Sequence, residues 1–352
     1  MLESGSWSER ESDPARFSRK PMLLLDTNYL SNLARVRLEA CLSPRVMDAW
    51  KGLLDALVKA VWDDRLACPG FNVQVEELEM DDRIAGPALV VLRSLSLGLA
   101  FRTLDGIVAR QVEDVALRWL QRPPVEGPPW RQVMQDDPDT PAIELSRRMR
   151  TRPFPFALSD QPTVGGRREA AGRGGTCNGL AGPMLDLVLR GSATESRLAF
   201  ARFVIGRRLR DALAGGSVPV SSWPIDTRFN EWTDMASRLR SAGMTLHECM
   251  AFLDSPWPAH VPYVDLYCTL ARAAALETSA GRPDQTSDEA DRCIVAALLP
   301  YCGLVTTDRF VKHLVTTGLR LDARYGCQVF SGRVEDVKLL TGVVDALPPV
   351  EM

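Results

Sequence analysis

The first legible pattern in the chain is a short apolar run, Met22–Leu25, that stops at Asp26-Thr27-Asn28. An apolar run of this length bounded by polar residues reads as a buried strand, with Asp26 at its C-terminal end. Helical periodicity follows over about Tyr29–Leu38 and over Pro44–Trp62, Leu66–Cys68 predicts a short strand closed by Pro69-Gly70, and Asn72–Met80 returns to helical character with Glu76, Glu77 and Glu79 in its first turns. From Asp81 to Leu120 apolar residues recur at three-to-four spacing, as in ALVVLRSLSLGLA and IVARQVEDVALRWL, which predicts continued helix.

Between Gln121 and Gly182 no period survives. RPPVEGPPW and GGRREAAGRGG are rich in Pro, Gly and Arg and predict a long loop or disordered excursion. Helical patterning resumes over Met184–Leu213, Asn230–Leu253 and Val264–Leu276. In the final quarter Thr286 and Glu289 stand at capping-box spacing, and the helix they open ends at Pro300. Gly303–Thr307 is a β-branched strand ending at Asp308, RFVKHLVTTG is a helix closed by Gly318, and Cys327–Phe330 is a last strand. Short strands alternating with helices predict an α/β fold with a parallel sheet. The expected organisation is a disordered polar tail over residues 1–20, a core built from 21–80 and 284–352, and a mostly helical insertion over 81–283 that contains the Pro/Gly/Arg-rich loop near 121–182.

Composition narrows this picture. At 352 residues and 45% apolar content the chain exceeds one minimal domain and can bury an ample core. It has no uncharged apolar stretch of about 18 residues, so no membrane span is expected. The N-terminal MLESGSWSERESDPARFSRK lacks the apolar segment of a secretory signal. The cysteines (41, 68, 177, 249, 268, 293, 302 and 327) are scattered singly with no CxxC pair, which fits a reduced cytoplasm. A net charge of −3 makes no global trap for nucleic acid, although local patches matter more than the total. Basic residues are nearly all Arg, with Lys only at 20, 51, 59, 312 and 338; the guanidinium fork suits phosphate, and codon bias in a GC-rich bacterial genome explains the same preference.

The chemistry lies in the carboxylates. In an open parallel sheet, ligands bind outside the carboxyl ends of the strands, and Asp26 and Asp308 both sit at such ends. If their strands are neighbours, both acids face one cleft. Asp288 and Asp291, three residues apart near the start of a helix, share a face, and Glu77 adds a further acid. Carboxylates crowded in this way repel one another and resist desolvation unless a cation sits among them. Hard oxygen ligands without a His/Cys set select Mg²⁺ or Mn²⁺, which can activate water against a phosphodiester. Each acid alone has a plainer reading as a helix cap, a dipole partner or a solvated charge; their conjunction carries the inference.

These motifs resemble the PIN-domain family of metal-dependent ribonucleases. The resemblance rests on LLLDTNYLSNL, on Glu-Leu after a proline in CPGFNVQVEELEM, on DRCIVAAL and on LVTTDRF, and covers roughly residues 21–80 and 284–350. An acid three residues before the third ligand (Asp288) and the run Leu299-Pro300-Tyr301-Cys302 are similar to larger bacterial members. The resemblance implies a PIN-like three-layer core and metal ligands at Asp26, Glu77, Asp291 and Asp308, with Asp288 as a weaker addition. It implies that Thr27 and Thr307 orient carboxylates or a phosphate beside them, with Asn28 in the same motif. Glu77 is preferred to Glu76 for its following Leu and its distance from Pro69. The implied activity is endoribonucleolytic hydrolysis of RNA with Mg²⁺ or Mn²⁺; a homodimer and an antitoxin or other regulatory protein are compatible partners. The connection between the second and third acids is far longer here than is usual in the family.

Arg292, Arg309 and Lys312 flank the expected site and are candidate phosphate contacts, or equally surface charges balancing nearby acids. A haloacid-dehalogenase phosphatase would need an acid two residues after Asp26, where Asn28 stands. His247, His260 and His313 have no partner at ligand or triad spacing, and no Gly-x-Ser-x-Gly elbow occurs. The alternative is a catalytically inactive PIN-like scaffold that binds RNA or a protein partner.

Overall fold

The computed structural model describes residues 18–38, 43–78, 83–123, 128–151, 192–215, 231–279 and 286–350, the last from Glu289 onward for side chains. Along them run β1 (Leu23–Leu24), α1 (Thr27–Arg37), α2 (Pro44–Trp62), α3 (Asn72–Leu78), α4 (Ala85–Ser96), α5 (Leu104–Trp119), α6 (Ala142–Thr151), α7 (Ala193–Ala201), α8 (Arg207–Leu213), α9 (Glu231–Ser241), α10 (Leu246–Asp254), α11 (Pro262–Ser279), α12 (Thr286–Leu298), β2 (Leu304–Thr306), α13 (Arg309–His313), α14 (Leu321–Tyr325), β3 (Gln328–Phe330) and α15 (Val334–Asp345). The chain divides into two compact units, one formed by residues 1–102, 128–158 and 298–352, the other by 103–127 and 159–297.

The first unit holds a parallel sheet in the order β1-β2-β3. Leu23 pairs with Leu304 and Leu24 with Val305; Leu304, Val305 and Thr306 pair with Gln328, Val329 and Phe330. The residues of β1 and β2 are buried throughout, as expected of a parallel sheet covered by helices. Single bridges continue the pattern: Met22 with Ala67 and Gly70 with Ala100 in parallel, then Phe101 with Met134 antiparallel. Helix α15 packs on α2, and α1 packs on α2, α3 and α4. Tyr29 of α1, fully buried, meets Trp50 of α2 edge-on at 4.9 Å between ring centroids.

The second unit is helical among its described residues. Buried Glu113 of α5 takes Arg238 of α9 through two hydrogen bonds of 2.5 and 2.8 Å, with Arg110 at 3.5 Å. Phe200 of α7 stacks on Tyr267 of α11 at 4.6 Å.

The unit boundaries differ from those read off the composition. The first unit extends to Arg102 and takes back residues 128–158, because Ala100 and Phe101 bridge to Gly70 and Met134. The helix expected over 81–120 breaks after Ser96, where Leu97 and Gly98 are both left-handed, at φ +49° and +84°. A Cβ at Gly98 would lie 3.1 Å from Met149 Cγ, so glycine suits both the turn and the close approach. A short 3₁₀ turn (Pro129–Gln132) and α6 occupy part of the stretch expected to be loop; residues 152–191, including its Arg-Gly run, lie outside the described residues. Of the expected tail, residues 1–17 also lie outside them, whereas Arg19 and Lys20 donate backbone N–H groups to Asp139 at 3.1 Å and buried Lys20 pairs with Asp64 at 2.6 Å. No helix among the described residues is long and apolar enough to cross a membrane.

Candidate active site

The site is built at the carboxyl edge of the sheet. Because β1 and β2 are adjacent and in register, the turn after Leu24 brings Asp26 beside the end of β2. There the Asp26 backbone N–H donates to Thr306 Oγ1 at 2.6 Å, and that hydroxyl donates to the Leu24 carbonyl at 3.1 Å. One threonine side chain thus ties the two strand ends together. Asp26 stands at the N-cap of α1, its carbonyl accepting from Tyr29 and Leu30 at 2.9 and 3.1 Å, but its carboxylate makes no capping bond. This buried acid is not used as a cap. The Asn28 amide donates to Asp26 Oδ2 at 3.2 Å.

Burial and then the neighbouring charge of Glu77 push the Asp26 carboxyl up to about 7, with Asp308 adding to the rise and the hydrogen bonds of Asn28 and the Thr27 backbone opposing it. Asp26, Glu77 and Asp308, from three separate elements, are therefore electrostatic neighbours. Glu77 is placed by α3. Buried Gln74, three residues earlier on the same face, donates to the Leu25 carbonyl and accepts from the Phe71 backbone N–H at 2.8 Å, which pins α3 to the end of β1. The Thr27 hydroxyl donates to Glu77, whose carboxyl is raised by burial and partly restrained by that bond. Glu76 accepts from Asn72 of its own helix at 3.1 Å, and Glu77 is the acid that acts on Asp26. Asp308 does cap a helix, accepting from the Val311 backbone N–H at 2.6 Å, so the plainer reading holds for one of its oxygens.

The remaining expected residues fall as follows. Asp291 is buried on α12, in the second unit. The Asp288 side chain lies outside the described residues. Glu289, expected as a capping residue, turns its carboxylate to the Tyr267 hydroxyl and to Arg292. Arg292 is buried and paired with Glu289 at 2.6 Å, and Lys312 pairs with Asp336 at 2.7 Å, so both expected phosphate contacts already have carboxylate partners. Arg309 is exposed. Thr307 is buried and bonds through its backbone N–H to Phe330 at 3.0 Å; Thr306, one residue earlier, holds the strand ends together instead.

Sequence reasoning missed Thr306, Gln74 and a second polar group at the end of β3. There Asp336 accepts from the Ser331 backbone N–H at 2.8 Å, from its hydroxyl, and from Lys312. The Tyr29 hydroxyl donates to the Ser331 carbonyl at 2.5 Å. Ser331 follows the β3 strand as Asp26 follows β1, and that parallel was the available signal.

Among the described residues no group of three or more His, Cys, Asp or Glu side chains is close enough to hold an ion as it stands. In donor chemistry, buried Asp26, Glu77 and the second oxygen of Asp308 fit a hard divalent cation, which would offset both the burial and the neighbouring charge that raise Asp26. No family model, no curated protein and no solved structure matches the chain.

Proposed function

We propose that the protein is a Mg²⁺- or Mn²⁺-dependent nuclease that hydrolyses RNA phosphodiester bonds on a PIN-like three-layer core. One observation carries the reading: Asp26 is buried at a strand end, serves no helix as a cap, and feels the charges of Glu77 and Asp308. Such an acid is unfavourable for the fold alone, and a cation would make it favourable. Asp26, Glu77 and Asp308 would hold that ion, which when bound supplies an activated water and neutralises phosphate charge. Thr27 orients the Glu77 carboxylate, Thr306 fixes the Asp26 backbone, and exposed Arg309 is the side chain left to meet a phosphate. The role of Asp291 as a further ligand rests on the family resemblance alone.

The test is a Mn²⁺ titration followed by thermal melting, then cleavage of single-stranded RNA. Wild type should gain stability with Mn²⁺ and cleave; Asp26→Asn and Asp308→Asn should lose both effects. Cleavage that survives both substitutions rules out this site. The competing reading, a PIN-like scaffold that binds RNA or a protein without cutting, draws support from the lack, among the described residues, of three His, Cys, Asp or Glu side chains close enough to hold an ion. It requires a wild-type protein whose melting ignores Mn²⁺.

A further inference from the structure

The polar group at the end of β3 has no part in the proposed chemistry, yet it grips two of the segments that carry it. Lys312 belongs to α13, the helix capped by Asp308, and its ammonium lies 2.7 and 2.8 Å from the two oxygens of Asp336. The same carboxylate accepts from both the backbone N–H and the hydroxyl of Ser331. The Ser331 carbonyl in turn accepts from Tyr29, and the charges of Asp336 and Asp26 both bear on that hydroxyl. Tyr29 is on the first turn of α1, three residues after Asp26. A single carboxylate therefore connects the helix behind Asp308, the exit of β3 and the start of α1.

We propose that Asp336 is a positioning residue for the acid cluster: by holding Lys312 and Ser331 it fixes Asp308 opposite Asp26, while Tyr29 carries the same restraint to the start of α1. This rests on the reading of the cluster as a cation site, but not for its test. A surface ion pair would be worth little. This pair is partly buried and shares its carboxylate with the Ser331 backbone N–H and hydroxyl, so its loss removes a side-chain tie between α13 and the exit of β3. The hydrogen bonds of Asp336 run to Lys312 and Ser331, so its effect on the acid cluster passes through those two residues.

The experiment uses the full chain and a double-mutant cycle. The coupling between Asp26→Asn and Asp308→Asn is measured by urea unfolding without metal at pH 8, first in wild type and then with Asp336→Asn. If Asp336 positions the cluster, more than half of that coupling is lost, and the Mn²⁺ midpoint rises about tenfold in the variant. Ser331→Ala, which keeps the Asp336–Lys312 pair, should give a smaller change in the same direction. It also serves as the readable variant if Asp336→Asn does not fold. A variant that only melts earlier, with coupling and Mn²⁺ midpoint both unchanged, overturns the proposal. If wild type does not respond to Mn²⁺, the nuclease reading fails, and the metal-free coupling alone decides the role of Asp336.

Discussion

Among the residues, Asp26 carries the sharpest prediction because its sign is fixed by the structure. Its carboxyl is raised to about 7, so the folded state keeps a proton that the unfolded chain releases near 4. For an acid raised in this way, the stabilising protonation is complete below the unfolded value and is lost as pH climbs through the folded one. Asp26→Asn removes the charge and keeps an acceptor for Asn28. It should therefore stabilise the metal-free protein on the order of 1–3 kcal/mol at pH 8, and less at pH 5. Melting curves at the two pH values test this; a variant less stable than wild type at pH 8 would show that the carboxylate is favourable without a cation. The same proton competes with metal, so Mn²⁺ stabilisation of wild type should shrink as pH falls from 8 to 6. A Mn²⁺ effect that does not change over that range would mean that Asp26 is not a ligand.

The elements near the site are too short to define it by propensity. Strand β1 is two residues long, and what places the acids is the parallel register with β2 and a few side chains that bond across elements. Gln74 shows this. Its amide satisfies the Leu25 carbonyl and the Phe71 N–H, both buried groups at the junction of β1 and α3. Gln74→Leu would leave both unpaired and should destabilise by roughly 1–3 kcal/mol for each, with urea midpoints as the measurement. A neutral result would mean that α3 is held by its apolar face alone. This also marks where the sequence was legible. The apolar run ending at Asp26, the strand ending at Asp308 and the helix Pro44–Trp62 were readable because hydrophobic period and strand ends are local signals. Gln74, Thr306 and Asp336 were not, because each acts on a partner distant in sequence that only the folded register brings near.

At the scale of the whole chain, two compact units raise the question of whether the stability of one is separable from the chemistry of the other. The boundaries were hard to read because the chain leaves the first unit at Thr103, inside a run of helical periodicity, and the Pro/Gly-rich RPPVEGPPW that marks its return at Pro128 reads as a loop and not as a crossing between units. The second unit has its own charged core: Glu113, 1% exposed, lies between Arg238 and Arg110. Removing that charge breaks a bidentate pair, although both arginines keep some access to solvent, which limits the loss. Glu113→Gln should lower stability by roughly 1–3 kcal/mol. Glu77 and Asp308, whose charges bear on Asp26, lie in the first unit, so the variant should bind Mn²⁺ with the midpoint of wild type, measured well below its own melting temperature. An unchanged midpoint in a less stable protein would confine the cation site to the first unit. A midpoint raised several-fold would mean instead that cation binding depends on more than Asp26, Glu77 and Asp308, and the proposed ligand set would have to be extended.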